Sequence, residues 1–147
     1  MHVIKLGFIS LIVIFIILLL ISLLIPSTVR VSRAINIHTD KTSLYPLLAD
    51  TMQWRQWNLL INDSIDVRIV SSDSNVIHSR WTYRGRSLDG YYRLEAGSDV
   101  VVVQWYFEFA LKWYPWEKFG SITFENQFGP PMERSLINLK NLVTKSP

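Results

Sequence analysis

A run of twenty apolar residues near the N-terminus, Leu6–Ile25, is the feature that most constrains this chain. The run contains no charged side chain, and only Gly7, Ser10 and Ser22 interrupt it with small or polar groups. As a helix it would be about 30 Å long, which matches the hydrocarbon core of a bilayer. Inside lipid, every backbone polar group has to be bonded within the segment, which only a helix achieves for a single span. The run therefore predicts a membrane-spanning helix that is stopped by Pro26.

A cleaved secretory signal is the alternative interpretation of the same run. Signal peptides have apolar cores of about 7–15 residues, and a cleavage site with small residues follows directly. Here the core is longer, Pro26–Val29 offers no such site, and the small residues of Ser32–Ala34 lie too far downstream. We therefore expect an uncleaved anchor in residues 1–28 and a soluble domain in residues 29–147.

The charges that flank the span bear on which side of the membrane this domain lies. Lys5 and the terminal amine precede the span, whereas Arg30, Arg33 and Lys41 follow it. By the positive-inside rule this count favours a cytoplasmic domain. A short tail followed by a single long apolar run is instead typical of a signal anchor with an exported domain. We expect a single-pass protein with an extracytoplasmic domain.

Composition and spacing exclude several functional classes. The 147 residues include no cysteine, which excludes disulfide scaffolds, thiolate zinc sites and thiol nucleophiles. The net charge of +3 arises from 15 basic and 12 acidic residues that are scattered, whereas a nucleic-acid footprint needs basic residues clustered on one face. The three histidines have no second ligand at metal-binding spacing, and no nucleophile elbow or phosphate-binding glycine loop is present in the sequence. We expect no metal, no cofactor and no nucleic-acid partner, and no motif assigns a catalytic residue.

Hydrophobic periodicity after residue 28 predicts an α+β domain. Val29–Ile37 alternates as a strand does, and the spacing within Thr39–Leu60 predicts two short helices with a break near Asp50. Ser43 is a candidate N-cap of the first helix and would place Pro46 in its first turn. An earlier start would place Pro46 in the helix interior at the cost of a hydrogen bond, and the sequence leaves the two starts open. Four strand-like runs with short connections follow, which indicates antiparallel hairpins. These runs are Ile65–Val70, Val76–Tyr83, Leu88–Ala96 and Val100–Leu111.

The C-terminal residues predict a long amphipathic helix. We expect Gly129–Pro131 to open it, because proline is well placed at a helix start. An apolar stripe then recurs at helical spacing, at Met132, Leu136, Leu139 and Val143. The order of elements indicates one curved antiparallel sheet that wraps this helix.

Several local stretches resemble the START/Bet v 1-like superfamily (SRPBCC, polyketide cyclase/dehydrase and lipid transport). Val31–Ile37 is similar to the first strand of these proteins, Leu44–Asp50 to the short helix that follows, and Trp54–Trp57 to their W-x-x-W. Ser135–Leu142 resembles the closing helix of the superfamily. Lys112–Lys118, together with an apolar span just before the first strand, resembles a membrane-anchored bacterial branch.

The resemblance, which covers roughly residues 29–145, implies a helix-grip fold with an apolar pocket between the sheet and the last helix. Members of the superfamily bind lipids, sterols, polyketides or other hydrophobic molecules, and some are enzymes. Aromatic side chains are abundant here, and they either fill a core or line a ligand pocket. The candidate pocket-lining residues are Trp57, Trp81, Tyr83, Tyr92, Trp105, Phe107, Met132, Leu136 and Leu139.

Three kinds of function are compatible with these patterns. We expect a non-enzymatic, membrane-anchored module that binds a hydrophobic small molecule or lipid. A cyclase-like or hydratase-like enzyme would instead use Tyr83 or Tyr92 as its general acid–base. A structural or interaction protein without a cavity would use the aromatic segment of residues 113–119. The same segment is also a candidate lid over the pocket or a contact with a membrane interface.

Overall fold

The computed structural model describes residues 1–145, and its helices and strands follow the predicted order except that two short helices, at 115–120 and 121–123, occupy the segment that was expected to be a loop. In chain order these are α1 (His2–Leu23), β1 (Thr28–Ile37), α2 (Lys41–Ala49), α3 (Thr51–Trp54), β2 (Ile65–Ser72), β3 (Val76–Tyr83), β4 (Arg86–Ala96), β5 (Val101–Ala110), α4 (Pro115–Gly120), a short 3₁₀ helix (Ser121–Thr123) and α5 (Phe124–Lys145). Contacts divide them into two units. The first unit consists of Met1–Val29 and Ala110–Thr123, and the second of Arg30–Phe109 and everything described from Phe124 onward.

The first unit is dominated by α1, an apolar helix of 22 residues whose side chains are mostly exposed. It ends at Leu23, shortly before Pro26, which cannot continue a helix. Its length and composition suit a single membrane span, and a signal sequence near the N-terminus has the same properties. The segment 110–123, which was expected to belong to the soluble domain, shares this unit with α1.

The second unit contains one five-stranded antiparallel sheet in the order β1-β5-β4-β3-β2. Three hairpins build most of it, and their register pairs Trp81 with Leu88 and Tyr92 with Trp105. Alternation along each strand places these side chains on the face that is packed, while residues such as Arg93 and Gln104 point the other way. The sheet packs on α5, so the predicted α+β class and helix-grip arrangement are confirmed.

The first short helix begins before Ser43, which is the earlier of the two starts that the sequence leaves open. Asp40, not Ser43, is its N-cap, and the Asp40 carboxylate accepts hydrogen bonds from the Ser43 backbone N–H (3.1 Å) and hydroxyl (2.7 Å). The side-chain hydrogen bond from Ser43 holds the pKa of Asp40 below its usual value. Aspartate caps a helix as well as serine does, and this earlier start places Pro46 inside α2. The predicted break at Asp50 is confirmed, because Asp50 ends α2 and caps α3 through the N–H of Met52 (2.9 Å).

The C-terminal helix also begins earlier than predicted, at Phe124, so that Pro130 and Pro131 lie in its interior. Interior prolines remove backbone hydrogen bonds, and packing of the preceding turns offsets this loss. The rings of Phe124 and Phe128 contact the ring of Phe109, with centroids 4.6 Å and 5.0 Å apart. The expectation that Gly129–Pro131 opens the helix was therefore wrong, because the stabilising contacts are tertiary and not local.

An ion pair and a glycine hold the same turns of α5 against β1. The Arg33 guanidinium is 2.6 Å from the carboxylate of Glu125 and crosses directly over Gly129. A Cβ at position 129 would lie only 2.2 Å from Arg33 Nη2, so a larger residue would displace the guanidinium. Further along α5, the Ser135 hydroxyl accepts from the N–H of Leu59 (2.9 Å), which ties the helix to the loop after α3.

Candidate functional site

Six aromatic side chains fill the centre of the second unit, and we call them the aromatic cluster. Each is at most 4% exposed. Their neighbouring ring centroids lie 5.1–6.3 Å apart, within the range at which aromatic pairs attract. The members are Trp54, Trp57, Trp81, Tyr92, Trp105 and Phe107. The middle of the space between sheet and helix is therefore occupied by rings.

Tyr92 is the one titratable member of the aromatic cluster. Its hydroxyl accepts a hydrogen bond from Asn58 Nδ2 (3.1 Å), and Asn58 Oδ1 in turn accepts from the N–H of Leu60 (3.0 Å). Burial raises the pKa of Tyr92 well above its usual value, and the hydrogen bond from Asn58 offsets only part of this. Tyr92 thus stays protonated at neutral pH, which does not suit the role of general base that the enzymatic alternative would give it.

This pKa leads to a spectroscopic prediction. Titration at 295 nm should show at least one tyrosine that ionises at a higher pH in the folded protein than in denaturant, where Tyr92 is exposed. Because the folded pKa is the higher one, Tyr92 leaves the free energy of unfolding unchanged below about pH 10 and lowers it as the pH rises further. Tyr92→Phe should remove one tyrosine from the late part of the folded titration curve and one tyrosine from the curve in denaturant. A late part of the folded titration curve that is unchanged in Tyr92→Phe would contradict this assignment.

Two indole groups of the aromatic cluster lack a hydrogen-bond partner in the part of the chain that the structure describes. Nε1 of Trp54 donates to the carbonyl of Leu48, and Nε1 of Trp81 donates to Ser79 Oγ, each at 3.0 Å. In contrast, Nε1 of Trp57 and of Trp105 are buried without a partner among the described residues. Each unpaired N–H costs roughly 1–3 kcal/mol of desolvation, so ring packing is the interaction that retains these two tryptophans.

A cavity of about 610 Å³ opens beside the aromatic cluster and is open to solvent on one side. This volume is within the range of small-molecule pockets. It is enclosed by the loop between α3 and β2, by strands β3 to β5 and by the first half of α5. The lining residues are Leu60, Asn62, Asp63, Ser64, Ile65, Trp81, Tyr83, Leu88, Phe107 and Phe128.

The lining is apolar inside and polar at the mouth. Trp81 and Phe107 are the most buried lining residues, and their rings meet edge to face with centroids 5.1 Å apart. Leu88 and Phe128 extend this apolar surface, whereas Asn62 and its two polar neighbours in the loop are exposed. Such a cavity can desolvate an apolar molecule while a polar end of that molecule remains at the rim.

Gly90 determines the shape of the apolar end of this cavity. It lies on β4 opposite Phe107, and a Cβ there would be 2.8 Å from the Phe107 ring and 2.9 Å from Trp81 Nε1. Ser79 fixes the neighbouring indole, since its hydroxyl accepts from Trp81 Nε1 and donates to the carbonyl of Gly90 (2.9 Å). Because position 90 has no side chain, the rings of Phe107 and Trp81 can both lie close to the backbone there.

The structure distributes the nine predicted pocket residues between the cavity and the core. Trp81, Tyr83 and Phe107 line the cavity, and Tyr83 stands at its mouth with 44% of its surface exposed. The other six lie in the buried core at no more than 1% exposure: Trp57, Tyr92, Trp105, Met132, Leu136 and Leu139. A contact between any of the nine and a ligand stays a prediction.

Sequence reasoning missed the contributions of the loop 60–65, of Leu88 and of Phe128 to this cavity. One signal for Phe128 was present, because it lies four residues before Met132 and continues the apolar stripe backwards. Placing the helix start at the prolines discarded that signal. The loop carried no comparable periodicity.

Comparison with known proteins identifies the fold. No family model and no curated protein sequence matches the chain. Among solved structures, a protein of Rhodobacter sphaeroides has a TM-score of 0.62 at 9% identity over 83% of this chain and 95% of that one. Norcoclaurine synthase of Thalictrum flavum, in complex with a transition-state analogue, has a TM-score of 0.57 at 9% identity over 80% of this chain and 95% of that one.

DynU16, a putative protein of the dynemicin biosynthetic locus, has a TM-score of 0.55 at 9% identity over 79% of this chain. This chain spans only 47% of the length of DynU16. At such identities the similarity concerns the fold alone. The structural neighbours are Bet v 1-like (SRPBCC) proteins, and this chain shares their helix-grip fold.

Proposed function

We propose that this chain is a membrane-tethered module that binds a hydrophobic small molecule or lipid in the cavity above Trp81 and Phe107. The cavity carries the proposal, because it combines a ligand-sized volume with a buried apolar end and a polar mouth. The SRPBCC helix-grip fold is itself typical of hydrophobic ligand binding. We place the anchor in residues 1–28 and the binding domain in residues 29–147, on the extracytoplasmic side.

Binding would be driven by removing apolar surface from water. At about 25 cal/mol per Å², a ligand that loses roughly 200 Å² of apolar contact with water gains about 5 kcal/mol before the cost of association. The receiving rings are already ordered, since Trp81 stacks on Trp54 (5.6 Å) and on Trp105 (6.0 Å). Little further ordering is needed when a ligand enters, which favours affinity.

The tether is proposed from α1. Its side chains are apolar on every side and mostly exposed, as expected of a helix whose surroundings are lipid and not protein. An uncleaved helix of this kind would keep the binding domain close to a bilayer, where hydrophobic ligands are concentrated. We also propose that the chain is a member of the membrane-anchored branch of the superfamily.

Photolabelling of the full chain in phospholipid vesicles tests the proposal. The probe is a fatty acid with a diazirine in its acyl chain, and labelled peptides are mapped by mass spectrometry. We expect label in α1, from the bilayer, and in peptides that contain the cavity residues Trp81, Leu88 and Phe128. Leu88→Trp fills the cavity and should reduce cavity labelling about tenfold, which corresponds to about 1.4 kcal/mol.

Leu59→Trp is the matched control, because it makes the same substitution at an exposed leucine outside the cavity lining. It should leave both sets of labelled peptides unchanged. Label in α1 without label in the cavity would show an anchored chain whose cavity takes no acyl chain. Label in the cavity without label in α1 would contradict the tether.

A further inference from the structure

The segment after β5 carries a second group of aromatic residues, which the proposed ligand site does not use. Trp113 and Trp116 are 63% and 66% exposed, whereas the other four tryptophans of the chain are at most 4% exposed. Tyr114 lies between them and stacks on Trp116 with centroids 4.9 Å apart and planes within 6°. Its ring also contacts Trp113 at 4.9 Å. We call Trp113, Tyr114 and Trp116 the loop aromatics.

Contacts within the first unit hold the loop aromatics at the C-terminal end of α1. Lys118, which is 3% exposed, donates from Nζ to the carbonyl of Ile25 (2.8 Å) and to Ser27 Oγ (3.1 Å). The N–H of Leu111 donates to the carbonyl of Ser27 (2.8 Å), and α4 packs against α1. A cation at this place is also favoured by the negative end of the helix dipole.

These contacts set the depth of the loop aromatics relative to the apolar run. Trp116 lies two residues before Lys118 within α4, a rise of about 3 Å along the helix, and Trp113 lies two residues before α4, so both are close along the chain to the lysine that contacts the end of the run. The polar layer on each side of a bilayer is about 5–8 Å deep. If α1 spans a membrane, the loop aromatics therefore lie at the level of the lipid headgroups.

The chemistry of the segment suits that level. Tryptophan and tyrosine are enriched at membrane interfaces, because their rings are apolar and carry one polar atom. Lys112 is exposed and its Nζ lies 5.7 Å from the centre of the Tyr114 ring, where it is available to a lipid phosphate. Ile122, which follows α4, is 65% exposed as well. Exposed apolar rings beside a lysine are poorly explained by contact with water alone.

We propose that the loop aromatics insert into the headgroup layer of the leaflet in which α1 ends, so that the chain contacts the bilayer at two places. This inference rests on the proposed membrane tether. The occupant of the surface is the phospholipid headgroup layer and not a second protein. Insertion of the loop aromatics would restrict the tilt and the rotation of the first unit in the bilayer.

Quenching of tryptophan fluorescence tests this inference on the full chain in phosphatidylcholine–phosphatidylglycerol vesicles. Lipids brominated just below the headgroup should quench the emission, and lipids brominated near the end of the acyl chain should quench it much less. In the double variant Trp113→Phe/Trp116→Phe, quenching by the shallow lipid should fall about threefold, because the remaining tryptophans are buried in protein. Trp54→Phe removes a buried indole and is the matched control; it should leave quenching by the shallow lipid unchanged.

Aqueous iodide and a carbonate wash separate the possible outcomes. Iodide quenching of Trp113 and Trp116 in vesicles, without quenching by brominated lipid, would show a solvated segment and overturn the inference. Protection from both quenchers would indicate a protein contact and overturn it too. In either case, retention of the chain after the carbonate wash leaves the tether in place. Release of the chain by that wash would overturn the tether, and the inference with it.

Discussion

Trp105→Ala is expected to lower the free energy of unfolding by about 3–5 kcal/mol, the range for truncating a buried tryptophan. Trp105 is completely buried, and four rings of the aromatic cluster contact it at centroid distances of 5.1–6.3 Å. These rings belong to Trp57, Trp81, Tyr92 and Phe107. Because they come from three strands and the segment after α3, the void left by truncation cannot close by moving one element.

Urea denaturation followed by near-UV circular dichroism measures this loss in detergent-solubilised full chain. Trp116→Ala removes the same side chain at an exposed position and should change stability by less than about 0.5 kcal/mol. Equal losses in the two variants would contradict the burial of Trp105.

Trp105→Phe refines this prediction. The variant keeps a ring and deletes an indole N–H that has no partner within residues 1–145, so no hydrogen bond to that part of the chain is lost with it. Its cost should be less than half of that of the alanine variant. A cost as large as that of alanine would imply a hidden partner for Nε1.

The sheet could be predicted from the sequence because its signal is local. Along β5 the inward residues Val103, Trp105 and Phe107 alternate with Gln104 and Glu108, and this period of two appears in any window of the strand. The same pattern and the short connections indicated hairpins and hence an antiparallel sheet. Strand existence and fold class therefore followed from residues that are neighbours in sequence.

The helix starts could not be predicted, because contacts distant in sequence decide them. Prolines at positions 46 and 130 argue locally for a start beside them, and both lie inside helices. At α5 the deciding groups are Phe109 and Arg33, which lie on strands and hold the turns that precede the prolines. A prediction rule that considers only a short window of sequence cannot take those distant partners into account.

The cavity was less predictable still. Sequence could indicate that the aromatic residues are buried, but the position of unfilled space depends on how six rings of different shape fit together. Trp57 and Trp105 fill the buried core, whereas Trp81 and Phe107 each have one side that faces the cavity. The loop 60–65, which closes that void, has no periodic pattern from which a side could be assigned.

Gly90→Ala is expected to lower the free energy of unfolding by about 1–3 kcal/mol, as overpacking of a tight core does. The added methyl would lie 2.8 Å from the Phe107 ring and 2.9 Å from Trp81 Nε1, so both rings must shift. Rigid rings held by their neighbours shift at a greater cost than the end of a flexible chain would. Because both rings form the apolar end of the cavity, labelling by the diazirine fatty acid should fall as well.

Gly120→Ala is the matched control, since a Cβ there meets no described atom within 4 Å apart from its chain neighbours and the backbone of its own helix. A double-mutant cycle then identifies the cause of the loss at Gly90. Phe107→Leu alone removes ring contacts and destabilises, but in the Gly90→Ala background it also relieves the close approach. The two costs should therefore sum to more than the cost of the double variant, by about 0.5–3 kcal/mol. Strictly additive costs would mean that the strand backbone, and not the floor of the cavity, requires glycine at this position.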